Sequence, residues 1–128
     1  MKAYETDKIR NVAIVGQAGS GKTILTESLL FSNGTINRQG TIEEKNTVSD
    51  YHTIEHERTH SVFTTPTFLV KNETKINFLD TPGYGDYLGE VISAVRVCDN
   101  ILININSQNG IEVAVENTYE MAAKYNKA

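Results

Sequence analysis

The stretch Gly16-Gln17-Ala18-Gly19-Ser20-Gly21-Lys22-Thr23 fits the pattern G-x-x-x-x-G-K-S/T at every fixed position. That pattern is suited to one kind of chemistry. Glycines let the backbone curl so that several N–H groups surround a phosphate, and the helix start that follows adds unpaired donors and partial positive charge. Lys22 can reach terminal phosphates and Thr23 can offer its hydroxyl to Mg²⁺. A second candidate, Asp80-Thr81-Pro82-Gly83, is by itself an acceptable turn. In a chain that already has a phosphate loop, Asp80 can support the metal carried by Thr23, and Gly83 lets a backbone N–H approach the last phosphate. A third, His56-Glu57-Arg58-Thr59-His60, fits H-E-x-x-H. On a helix its two histidines would share a face and bind zinc, with Glu57 as base. The segment has little helical amphipathicity and leads into a strand-like run, so the zinc metalloprotease is the weaker reading.

These residues need elements to hold them. Asn11 to Val15 reads as a buried strand, with the strand about 10–15. The helix spans about 22–32, with Asn33-Gly34 as its stop. Residues 35–61 are polar with little periodicity, and a connection of that length is usually functional or mobile. Ser61 to Val70 is β-branched and aromatic and reads as a strand, with Pro66 marking a sheet edge. Lys75 to Leu79 is its antiparallel hairpin partner across a turn at 71–74, and it places Asp80 at a strand C-terminus, where open α/β sheets bind ligands. A helix over about 86–98 would put Leu88, Val91, Ile92, Val95 and Cys98 on one face. A strand at 100–105 and a helix at about 111–125, marked by Ile111, Val115, Tyr119 and Ala122, complete the chain. The order predicts an α/β sheet with helices on both faces.

Composition fits that class. The chain has 128 residues, 39% hydrophobic and 22% charged, with net charge −4. That suits one globular domain and does not advertise a nucleic-acid surface. The single cysteine, Cys98, excludes an internal disulfide and suits a reducing cytoplasm. No apolar run approaches a membrane span.

With both motifs in view, the chain resembles the N-terminal part of the G domain of a translational GTPase, closest to elongation factor G and its paralogues. Asn46-Thr47-Val48-Ser49-Asp50-Tyr51 resembles the T-x-x-D start of that group's switch I, here about 35–61. Gly89-Glu90-Val91 and Arg96-Val97-Cys98-Asp99 resemble its second helix. The likeness runs over about 9–126. It implies a P-loop NTPase fold of the GTPase type, α/β with three layers, and GTP/GDP and Mg²⁺ as ligands. It also implies the ribosome as partner, GTP hydrolysis in the full-length protein and switch loops that order around the last phosphate. By position, Gly16 and Gly19, Ser20, Gly21, Lys22 and Thr23 hold phosphates with Gly83, Thr23 and Ser61 are Mg²⁺-side hydroxyls, and Asp80 supports the metal.

Three departures stand out. The family's switch I usually reads Arg-Gly-Ile-Thr-Ile, and here it is Arg58-Thr59-His60-Ser61-Val62. Elongation factor G usually has a water-positioning His after Asp-Thr-Pro-Gly, and here the position is Tyr84, as is often so in the paralogous branch. Tetracycline-protection proteins share much of the pattern but usually keep that His. A phenol does not share protons at neutral pH as imidazole does, so slow hydrolysis, or a binding module with little or none, is an alternative. Finally, no guanine-reading Asn-Lys-x-Asp occurs. The chain therefore reads as truncated before the base-recognition strand, with weak, poorly selective binding, and residues alone do not separate GTP from ATP. The strand at 101–105 is expected to present an apolar edge through which the chain self-associates.

Overall fold

The computed structural model describes residues 3–128. Its centre is β1, Ile9–Gly16, in which Ala13, Ile14 and Val15 have no exposed surface. An unbroken apolar run of this kind is what a strand covered on both faces requires. β3, Thr74–Asp80, and β4, Asn100–Asn104, flank it in parallel. β2, Thr65–Lys71, pairs antiparallel with β3, giving the order β2-β3-β1-β4. Pro66 thus lies on an edge strand, as its missing N–H requires. The antiparallel hairpin expected from residues 65–79 is present. Its strand begins at Thr65 rather than Ser61, because the amides of Val62 and Phe63 donate to Glu55 Oε1 and that of Thr64 to Glu90 Oε2. Side-chain carboxylates have taken the bonds a strand neighbour would make.

Helices cover both faces. α1, Lys22–Ser32, packs on β2 and β3, where Leu30 joins Ile14, Leu69 and Phe78. It stops where expected: Gly34 adopts φ +71°, and Gly34 N and Thr35 N donate to Phe31 O and Leu30 O. α3, Leu88–Val97, follows a 3-10 turn at Gly85–Tyr87, and α4 is Val113–Lys124. They build the other core layer from Val91, Ala94, Val95 and Cys98 against Ala13 and Val15, flanked by Met121 and Tyr125. Cys98 is core, as read. Leu88, Ile111 and Tyr119 are not, being 41%, 66% and 70% exposed. Leu88 is the first residue of α3, at its exposed end, and Ile111 precedes α4 and so lies outside the helical register assumed for it.

The connection 33–64 differs most from expectation. It contains α2, Thr53–Arg58, a helix too short to leave a periodic signal. Two buried glutamates organise the segment. Glu27, on α1, accepts from Gly40 N at 2.8 Å and from Val48 N in a very short bond. Glu55 accepts from His52 N at 3.1 Å, closing a capping box, besides its bonds to Val62 and Phe63. No helix among the described residues is long and apolar enough to cross a membrane.

Candidate functional site

Parallel register sets the site. Ile14 of β1 lies opposite Asp80 of β3, and Gly16 opposite Asn104 of β4. The phosphate loop therefore leaves β1 beside the carboxyl ends of both neighbours. Gly16 has φ +138°, and a Cβ there would stand 2.2 Å from Asn104 O, so only glycine fits. A Cβ on Gly83 would come within 2.5 Å of Lys22 Nζ and 2.6 Å of Ala18 N. The Asp-Thr-Pro-Gly turn is packed directly on the phosphate loop. Gly19, Gly21, Lys22, Thr23, Ser61, Gly83 and Tyr84 line one cavity of about 220 Å³.

Lys22 is buried, and its Nζ donates to Gly16 O at 3.0 Å and Gln17 O at 2.9 Å. Burial lowers its pKa to about 8, against the pull of Asp80 and then Asp50, which favour its charge. Thr23 Oγ1 lies 3.3 Å from Ser61 Oγ, across 38 residues of sequence. Asp80 is 1% exposed, and neither of its carboxylate oxygens has a hydrogen-bond partner. Burial pushes its pKa up to about 6. Ser49 and Thr23 stand near enough to restrain the rise, though neither hydroxyl completes a bond to it.

Sequence reasoning assigned no role to Asp50, which the structure places in the same cavity. One of its carboxylate oxygens is buried and unpaired, and burial raises its pKa. Its signal was its place at the end of the T-x-x-D run, inside a stretch that reads as plain loop. Two buried carboxylates and two facing hydroxyls beside a lysine form a donor set that suits a hard divalent cation with phosphate. Of the expected site residues, Gly19, Gly21, Lys22, Thr23, Ser61, Gly83 and Tyr84 line the cavity, while Gly16, Ser20 and Asp80 do not: Gly16 packs against Asn104 O, and the Ser20 Oγ and the Asp80 carboxylate are buried without hydrogen-bond partners.

The zinc reading does not survive. α2 ends at Arg58, and Thr59, at φ +57°, turns the chain out of the helix, so His56 and His60 do not share a face. His56 Nε2 bonds Asp50 O at 2.8 Å. Among the described residues, no group of three or more His, Cys, Asp or Glu is placed to hold a metal.

Residues 7–128 match the family described as the elongation factor Tu GTP binding domain. The chain belongs to that family. This GTP-binding domain is 34% identical over 119 residues to mitochondrial ribosome-releasing factor 2 of Yarrowia lipolytica, covering 93% of this chain and 15% of the relative. It is 32% identical over 119 residues to the tetracycline resistance protein TetS of Listeria monocytogenes, covering 93% and 19%. A solved protein from Thermus thermophilus superposes with TM-score 0.88 at 38% identity, over 91% of this chain and 18% of that one. The chain thus spans less than a fifth of the length of these relatives. The P-loop GTPase fold that the resemblance implies is the fold observed.

Proposed function

We propose that this domain holds the phosphates and Mg²⁺ of GTP in a ribosome-acting, elongation-factor-G-like GTPase. The observation that carries the reading is the meeting of Thr23 and Ser61 hydroxyls, 3.3 Å apart, beside an Asp80 carboxylate that is buried and unpaired. A buried carboxylate with no hydrogen bond is costly, and a divalent cation relieves that cost. In this reading Gly16, Gly19, Ser20, Gly21 and Lys22 cradle the phosphates with Gly83, and Thr23, Ser61 and Asp80 hold Mg²⁺. Bound Mg²⁺ supplies charge neutralisation on the phosphate oxygens. Residues 35–61 would serve as switch I, with Ser61 as the hydroxyl it would offer to the metal. The resemblance supports the ribosome as partner and a cytoplasmic place of work, and the free Cys98 suits a reducing compartment.

Calorimetry with Mg²⁺-GTP, Mg²⁺-GDP and Mg²⁺-ATP tests this. Binding that requires Mg²⁺ and falls at least tenfold in Lys22→Ala supports it. Binding indifferent to Mg²⁺ and to Lys22 overturns it. Weak base preference is expected from this chain, which carries no Asn-Lys-x-Asp. A second reading, nucleotide-dependent binding with little hydrolysis, is favoured by Tyr84 standing on the cavity rim where an imidazole usually acts. Single-turnover GTP cleavage by the full-length protein separates the two.

A further inference from the structure

Two aromatic residues meet over the mouth of the phosphate cavity. The His60 ring lies 4.5 Å from the Tyr84 ring, centroid to centroid, and 5.9 Å from that of Tyr87. His60 and Tyr84 line the cavity together with Lys22, Thr23 and Gly83. The imidazole is held from several sides. Tyr87 Oη accepts from Arg58 Nη1 at 2.7 Å, tying the end of α2 to the turn after Gly83. Thr59 takes the left-handed conformation, φ +57°, which a β-branched residue rarely adopts. That turn swings His60 off the helix and onto the cavity rim. A strained backbone at such a place is a feature that the surrounding structure must enforce.

The ring's orientation is also determined. His60 Nδ1 lies 3.0 Å from Ser61 O. A carbonyl only accepts, so Nδ1 donates, and that bond fixes the orientation of the ring. We propose that His60, carried by the 33–64 connection, orients the attacking water in this domain, with Tyr84 as the ring support against which it packs. This inference rests on the GTPase reading above. In hydrolysis the water oxygen bonds the terminal phosphorus and the bond from that phosphorus to the bridging oxygen breaks. GDP leaves with the electron pair, and the water proton passes to the departing phosphate. His60 Nε2 accepts a hydrogen bond from the water and ends the step unchanged.

The test uses full-length protein. Single-turnover GTP cleavage and Mg²⁺-GTP affinity are measured for wild type, His60→Ala and His60→Gln, and ¹⁵N NMR reads the His60 tautomer at mildly alkaline pH. The expected result is a cleavage rate about tenfold or more lower in His60→Ala. Affinity should stay within about twofold, and His60→Gln, which keeps an acceptor, should recover part of the rate. The NMR spectrum should show the proton on Nδ1. His60→Ala cleaving as fast as wild type, a loss that only follows affinity, or a proton on Nε2 overturns the role of His60 and leaves the GTPase reading standing. Wild-type protein that binds GTP and never cleaves it overturns both.

Discussion

The Thr81 hydroxyl donates to the Ile14 carbonyl at 2.7 Å, and the Thr81 amide points to the same oxygen at 3.3 Å. One side chain therefore fastens the end of β3 to the strand that feeds the phosphate loop, and both motifs move together. Thr81 is fully buried. Thr81→Val keeps the shape and removes the donor, leaving Ile14 O with the longer amide bond. It should cost about 1–2 kcal/mol in urea unfolding with unchanged m-value, and weaken Mg²⁺-GTP binding more than a surface substitution does. An unchanged midpoint would show that the amide alone satisfies Ile14 O.

Glu27 holds the 40–48 segment through the amides of Gly40 and Val48. Glu27→Ala leaves the buried Gly40 amide and the part-buried Val48 amide without a partner, which costs about 1–3 kcal/mol, chiefly from Gly40. Hydrogen exchange should quicken across residues 40–48 while β1 and β3 stay protected. Uniform loss of protection would mean that Glu27 supports the whole fold rather than this segment.

Asp80 makes the ligand-free protein sensitive to pH. Its folded pKa is raised from 3.8 to about 6, so the folded state binds the proton more tightly than the unfolded state. The stability this provides is complete below 3.8 and lost as pH rises through about 6. Asp80→Asn, which carries no charge, should therefore melt higher than wild type above that window, by on the order of 1–3 kcal/mol. The difference should vanish near pH 4. Adding Mg²⁺ and GTP should reverse the order, because wild type gains a ligand that the variant holds poorly. A variant that melts below wild type at neutral pH without nucleotide would contradict the burial argument.

Gly83 is pressed against the backbone of Ala18. Gly83→Ala forces the phosphate loop and the turn apart by a few tenths of an ångström or more. Nucleotide affinity should fall at least about tenfold, the change worth about 1.4 kcal/mol, with only a modest change in melting temperature. Equal affinity in calorimetry would show that the loop yields freely.

β4 is the outer strand on its side of the sheet. Ile101 N is taken by Ala128 O at 2.7 Å, which narrows the free edge, yet Leu102 and Ile105 remain 39% and 47% exposed. We expect the 128-residue chain to self-associate through this edge, and Leu102→Lys to suppress it. Sedimentation over a wide concentration range checks this, and a clean monomer at the highest concentration overturns it.

Local chemistry was enough for much of this protein. Gly16 to Thr23 between an apolar strand and a helix, and Asp80 at a strand end, are signals that reside in adjacent residues, so the fold and the candidate residues for a phosphate site were legible. So was the antiparallel edge, because Pro66 cannot donate to a central ladder. What remained hidden depended on partners distant in sequence. α2 is held by Glu55 bonds to His52, Val62 and Phe63, and no periodicity in six residues announces it. Asp50 acquires its significance only because folding buries it beside Asp80 and Lys22. H-E-x-x-H, already the weaker reading for want of helical amphipathicity, is broken as a zinc pair by Thr59, which turns the chain and sends His60 to Tyr84. Side-chain type and short spacing decide which chemistry is available. Which of those groups share one cavity is decided by strand register and by buried carboxylates that pin a long connection, and neither acts over the few residues that a motif spans.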